Sequence, residues 1–246
     1  MSAGCLTILG LGPGDPALTT PQTIAALATA QDLVGYAPYL ARAPAQPGQV
    51  RHATDNRVEL DRARHALTLA SQGRRVAVVS GGDPGVFGMA SAVFEAIEAG
   101  PPGWQNLDVQ VLPGVSAMLA AAARLGAPLG HDFAVLSLSD NLKPWPLVLR
   151  RLTAAAAAGF VLALYNPASK ARPWQLPAAL DALRAILPAT VPVAFATAVT
   201  RPDERITTTT LAAADPALAD MRTLVLVGTA ATRTVGRFLY TPRSAA

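Results

Sequence analysis

Three apolar runs in the first half of the chain each break off at a glycine-bearing turn that leads into an alanine-rich helical stretch. Leu6–Leu9 runs into Gly10-Leu11-Gly12-Pro13-Gly14-Asp15, and Val76–Ser80 into Gly81-Gly82-Asp83-Pro84-Gly85-Val86-Phe87-Gly88. Val109–Leu112 runs into Pro113-Gly114-Val115-Ser116-Ala117. A continuous apolar run such as Val76–Ser80 suits a strand buried on both faces. Strands that alternate with helical segments make an α/β protein with largely parallel pairing.

The same reading extends along the chain. It predicts helices over 21–30, 57–71, 88–99 and 116–125, and strands over 33–36 and 133–138. Pro21 starts its helix well, because its missing N–H would be unsatisfied there anyway. Ser139-Asp140-Asn141-Leu142-Lys143-Pro144 is polar and rich in breakers. It is taken as the boundary between domains at 1–138 and 139–246. The second half predicts helices over 146–157 and 175–187. Its strands are expected over 160–165, 193–198, 205–210, 221–227 and 238–240, and their close spacing and threonine content point to a mixed sheet.

The chain has 246 residues, 51% of them hydrophobic and 15% charged, so it can bury a large core and is not disordered as a whole. Mean hydropathy is +0.33, yet no apolar window reaches the roughly 18 residues that a membrane span needs. A soluble protein without a membrane partner is expected. The N-terminus lacks a basic region and enters a strand at once, so a cytoplasmic location without a signal peptide is predicted. Twenty basic residues against sixteen acidic give a net charge of +4. That excess is dispersed, which fits an acidic small molecule better than nucleic acid. Cys5 is the single cysteine, and its strand position suggests packing. His52, His65 and His131 lack metal-ligand spacing, so no metal site is predicted.

Glycines after strands let a ligand approach the backbone, and ligands of open α/β sheets sit at the carboxyl ends of the strands. The first turn is not a dinucleotide fingerprint. It reads G-x-G-x-G-D, five more residues precede the helix, Pro13 removes an amide, and Asp15 would repel a phosphate. Asp32 opens the second strand where the fingerprint has an acidic residue closing it. Each turn alone reads as strand-to-helix punctuation with Asp or Ser as a cap. Three at successive strand ends favour a binding site for a phosphate-free ligand with a ribose, an amine and a flat base.

These residues resemble the tetrapyrrole methylases, the class III S-adenosylmethionine methyltransferases of the cobalamin and siroheme pathways. The similarity lies in Gly10–Asp15, in VSGGDPGVFGM over Val79–Met89 and in LPGVSA over Leu112–Ala117, and it continues along nearly the whole chain. HDFAVLSLSDNLKPW (His131–Trp145), LYNPASKAR (Leu164–Arg172) and YTPR (Tyr240–Arg243) resemble one branch, which methylates C17 of a precorrin as the macrocycle contracts. The resemblance implies two α/β domains with a cofactor cleft between them, S-adenosyl-L-methionine as cofactor, an anionic tetrapyrrole substrate and a homodimer. It carries cofactor contacts onto Pro13, Gly81, Gly82, Asp83, Val86, Phe87, Ser116, Ala117, Asn166 and Val199. Around Val199 the chain reads ATAVTRPDE, where related enzymes carry an Asn-Ala-Gly or Asn-Gly turn.

Methyl transfer from a sulfonium needs alignment and exclusion of water more than a strong base. Ring contraction moves protons, so an acid or base is expected beside it. Tyr36, Asp140 and Lys143 are the catalytic candidates, with core packing, helix capping and solvation as their respective alternatives. Siroheme-pathway relatives carry a proton-transferring aspartate at the position of Ala37, a device this chain lacks. Substrate carboxylates would fall to arginine or lysine, with Arg42, Arg51, Arg57, Lys170 and Arg172 as candidates. Competing readings are a same-fold methylase for another macrocycle position or a cobalt-containing precorrin, a non-catalytic binder of a corrinoid intermediate, and an NAD-linked dehydrogenase.

Overall fold

The computed structural model describes residues 4–55 and 58–244. Arg57, one of the carboxylate-binding candidates, lies outside them. The chain divides into two compact units, Met1–Ser116 and Ala117–Ala246.

The first unit runs β1 (Cys5–Gly10), α1 (Pro21–Thr29), β2 (Asp32–Tyr36), α2 (Ala37–Leu40), β3 (Val50–Thr54), α3 (Glu59–Ser71), β4 (Arg75–Ser80), α4 (Met89–Glu98) and β5 (Asp108–Leu112). Its five strands form one sheet in the order β3-β2-β4-β1-β5, and every pairing is parallel. All five carboxyl ends therefore share one edge. The apolar runs serve both faces: Leu6, Ile8, Val76 and Val78 pack under α3 and α4, while Leu9, Ala77 and Val79 pack with Leu27 and Leu40 of α1 and α2. Thr20 caps α1 by accepting from the Thr23 amide at 3.2 Å. Glu59 and Asp61 in the first turn of α3 suit the positive end of its dipole.

The second unit runs α5 (Ala117–Leu125), β6 (Gly126–Ala127), β7 (Phe133–Ser137), α6 (Trp145–Ala157), β8 (Val161–Tyr165), α7 (Gln175–Arg184), β9 (Pro192–Thr197), β10 (Arg205–Thr210), β11 (Thr223–Val227), β12 (Arg233–Val235) and β13 (Phe238–Tyr240). Its main sheet has the order β10-β9-β11-β8-β7, and β12, β13 and β6 form a small second sheet. β7 and β8 are parallel while β11 opposes both β8 and β9, so the mixed sheet puts the carboxyl ends of β7, β8 and β9 on one edge. Leu152, Leu164, Leu176, Leu180 and Phe195 centre the core between this sheet and α6 and α7. No helix among the described residues is long and apolar enough to cross a membrane.

The fold differs from the sequence-based expectation in the unit boundary and in several short elements, α2, β3, β6 and β12. The units divide after Ser116 and not after residue 138, because the strand at Phe133–Ser137 hydrogen-bonds to β8 in the second sheet. β3 was not anticipated. It is an edge strand paired only with β2, and its Arg51, His52 and Thr54 make polar contacts, so it carries no apolar run.

His52 belongs to a polar chain that runs from the buried Asp32 out to the surface. The Asp32 carboxylate, 2% exposed, accepts from Arg74 Nε and lies 2.9 Å from His52 Nε2. His52 Nδ1 lies 3.0 Å from His65 Nε2 on α3. Burial pushes the Asp32 carboxyl up, but the hydrogen bonds and charges of Arg74 and His52 outweigh it and hold the group below its ordinary range. Burial first, then the neighbouring His52, lowers the His65 imidazole against the opposing pull of Asp32. A base depressed by folding binds fewer protons folded than unfolded, so stability falls as pH drops below about 6.5. The Asp32 contribution is complete above about pH 4 and is lost below it. The urea midpoint is thus expected to fall between about pH 7.5 and 5.5, and to fall less in His65→Gln. Equal slopes in the two proteins would contradict this account.

Candidate functional site

In the first unit the turns after β1, β4 and β5 meet backbone to backbone. A Cβ on Gly10 would stand 2.3 Å from the Gly82 carbonyl, and one on Gly114 would stand 2.2 Å from the same oxygen. Gly12 and Gly82 exchange backbone hydrogen bonds, Gly12 N donating at 3.2 Å and Gly82 N at 3.0 Å. Both adopt left-handed backbone, with φ of +69° and +62°. Asp83 completes the knot. Its Oδ1 accepts from Gly85 N at 2.8 Å and its Oδ2 from Gly114 N at 3.0 Å, so one carboxylate links the second and third turns.

Other side chains brace the same edge. Arg42 Nη2 donates to the carbonyls of Leu11 at 3.3 Å and Gly12 at 2.9 Å, fixing the first turn. Arg51 donates to the carbonyls of Leu40 and Ala43, both at 2.8 Å, and closes the end of α2. These two guanidiniums hold backbone oxygens, and their place as carboxylate-binding candidates is withdrawn on that ground. Tyr36, half-buried at the end of β2, stands edge-on to Tyr39 with ring centroids 5.4 Å apart. A Cβ on Gly81 would meet the Tyr39 ring at 2.8 Å, so that ring packs against the second turn. Sequence reasoning missed Tyr39 and the bracing role of Arg42, since both depend on contacts far apart in the chain.

Pro13 and Ser116 are buried on this unit, Val86 is half-buried and Phe87 is exposed. Phe87 has φ of 52°. A non-glycine residue in this region costs on the order of 1–2 kcal/mol, and such residues gather at ligand-binding turns. With Val86 it forms an apolar wall beside the glycine knot.

In the second unit, Ala117 opens α5, and the shared edge of β7, β8 and β9 carries Asp140, Lys143, Asn166 and Val199. Asn166, with φ of 52°, follows β8 and donates from Nδ2 to Ser137 Oγ at 2.9 Å. Val199, 5% exposed, lies between Ala198 and Thr200, whose φ values are 51° and 66°. The chain has no glycine there and still adopts the left-handed turn. Glu204 secures it by accepting from Thr200 N, and Arg124 Nε donates to both Glu204 oxygens at 3.2 Å. Neither Glu204 nor Arg124 stood out in the sequence.

Asp140 does not cap the helix that follows. The N-cap of α6 is Pro144, without a side-chain bond, and Asp140 instead accepts from Gln175. Burial, and secondly the charge of Arg151, pushes the Lys143 ammonium below its ordinary range. Lys170 is exposed, and Arg172 donates to the Asn166 carbonyl at 3.2 Å while closing the 166–172 loop. The two units thus each offer an edge of strand ends with strained, glycine-bearing or braced turns. In the first this suits a ligand that takes backbone amides and an apolar wall; in the second the side chains present are Asp, Lys and Asn.

Residues 5–215 match the model of the tetrapyrrole (corrin/porphyrin) methylases. The chain is 57% identical over 245 residues to a precorrin-3B C(17)-methyltransferase of a Sinorhizobium species, covering 98% of this chain and 96% of that one. It is similar to the crystal structure of the methyltransferase CobJ, with a TM-score of 0.95 and 55% identity over 97% of this chain and 100% of that one. The same fold appears, at a TM-score of 0.69 and 24% identity over 92% of this chain and 97% of that one, in a uroporphyrin-III C-methyltransferase of Thermus thermophilus complexed with S-adenosyl homocysteine. On the match across most of its length, this chain belongs to the tetrapyrrole (corrin/porphyrin) methylases.

Proposed function

We propose that the protein is an S-adenosylmethionine-dependent C-methyltransferase that methylates C17 of precorrin-3B, with contraction of the macrocycle to precorrin-4, in cobalamin biosynthesis. The observation that carries the reading is the 57% identity, across nearly the full length of both chains, to a relative named for that reaction.

The donor set fits the cofactor. A sulfonium nucleoside carries no phosphate, and the first turn supplies a proline and an aspartate where a phosphate site would need amides and positive charge. When bound, S-adenosylmethionine supplies an electrophilic methyl group. The chain contributes alignment and dryness. Pro13, Gly81, Gly82, Asp83, Val86, Phe87 and Ser116 are the proposed contacts of the first unit, and Ala117, Asn166 and Val199 those of the second. Val86, Phe87 and Val199 exclude water, and the glycine knot lets backbone amides come close. Asp140 takes a proton as the macrocycle contracts, and Lys143, with its lowered affinity for protons, returns one; Tyr36 is a third polar group for the same purpose. Lys170 and Arg172 receive substrate carboxylates. The metal-free substrate follows the name of that relative, and a cytoplasmic homodimer completes the proposal.

Isothermal titration tests the cofactor. Micromolar binding of S-adenosylmethionine and S-adenosylhomocysteine is expected, with no binding of NAD. Asp83→Ala unties the second turn from the third, and a loss of roughly tenfold or more in affinity should follow. Binding of NAD in place of the sulfur compounds would overturn the proposal.

A further inference from the structure

Gln175 is the first residue of α7 and its side chain is 1% exposed. Its Nε2 reaches back to Asp140, 3.0 Å from Oδ1 and 3.1 Å from Oδ2. Its Oε1 is buried and has no hydrogen-bond partner among the described residues. A buried amide with one half unpaired is a costly way to fill space, because an apolar side chain of the same size would bury equally well without it. The neighbours at this spot are apolar: Leu176, Ala179 and Leu180 of the same helix are fully buried in the core. What the amide does, and a leucine could not, is aim N–H groups at a carboxylate.

The surrounding contacts fix the loop that bears that carboxylate. Trp145 and Trp174, which close the loops after β7 and β8, meet edge to face with centroids 5.0 Å apart. Ser137 Oγ accepts from Asn166 Nδ2 at 2.9 Å and from Ser139 N at 3.3 Å. Asp140 itself is half-buried, so solvent and small molecules reach it. We infer that Gln175 is a positioning residue: it holds the Asp140 carboxylate in one orientation, ready to accept a proton from substrate. In that transfer the substrate O–H bond breaks, its electron pair stays on oxygen and the proton forms a new bond to the carboxylate. The inference rests on the proposed role of Asp140 in the reaction.

In Gln175→Leu single-turnover product formation from precorrin-3B should be about 10–100-fold slower at its maximum, because a carboxylate displaced by an ångström loses that much. S-adenosylhomocysteine affinity should stay within about twofold, as no proposed cofactor contact is altered. Gln175→Glu has nearly the same size and puts a second carboxyl beside Asp140. It replaces the N–H donor with an acceptor that cannot hold the carboxylate in place, so a loss of maximal rate at least as large as in Gln175→Leu is expected; this variant also covers a folding failure of the leucine protein. A maximal rate equal to the native one in both variants, or a loss confined to melting temperature, would overturn the inference. Crystal structures of the native and Gln175→Leu proteins separate it from the functional reading. Failure of the native protein to methylate precorrin-3B sinks that reading, whereas an Asp140 carboxylate unmoved in the variant sinks the positioning role.

Discussion

Gly114→Ala is expected to destabilise the protein by about 3 kcal/mol or more, the upper part of the range for forcing atoms into a packed interior. The new methyl carbon would stand 2.2 Å from the Gly82 carbonyl and 3.0 Å from the backbone of Gly10. Both neighbours are main chain, so no side chain can swing aside to relieve the clash. Because the same contact joins all three turns, S-adenosylhomocysteine binding should fail along with stability. Gly103→Ala is the matched control. Nothing lies within 4 Å of its added carbon, and its urea midpoint should move by no more than about 0.5 kcal/mol equivalent. A Gly114→Ala protein as stable as the control would mean that the turns do not meet as described.

Asp140→Asn keeps the size of the side chain and removes its ability to take up a proton. The amide oxygen can still accept from Gln175, so the loop should stay in place. Formation of ring-contracted product is expected to fall about 10²–10⁴-fold, the usual contribution of a positioned acid or base. Cofactor affinity and melting temperature should match the native protein. Turnover within a few-fold of native would remove Asp140 from the reaction and leave Tyr36 and Lys143 to be tried in turn.

Much of this architecture is legible in the residues. Val76–Ser80 reads as a strand because a strand covered on both faces has no polar alternation to confuse it. The turns after β1, β4 and β5 read as a binding region because glycine, proline and aspartate concentrate at successive strand ends. What stayed hidden is long-range. Phe133–Ser137 reads equally well as the last strand of one sheet or the first of another, and only its pairing with Val161–Tyr165 decides the unit boundary. β3 has the polar composition of a loop because its side chains hydrogen-bond at a sheet edge. Arg42 and Arg51 look like anion binders until the structure shows them on backbone carbonyls. Gln175 carries no signal at all in the sequence, since a glutamine opening a helix is ordinary and its carboxylate partner lies 35 positions away. The turn at Ala198–Thr200 shows the reverse case: it lacks the expected glycine, yet Glu204 and Arg124 hold the left-handed backbone.

The most direct test of the central claim is a single-turnover incubation of the protein with S-adenosylmethionine labelled in its methyl group and metal-free precorrin-3B. The account predicts one label transferred per macrocycle, at C17, in a ring-contracted product, with S-adenosylhomocysteine released in equal amount. Tight binding of the pigment with the label left on the cofactor would contradict it and make the protein a carrier. Label appearing only when a cobalt-containing substrate is supplied, or at another carbon, would contradict the assigned substrate while leaving the methyltransferase in place.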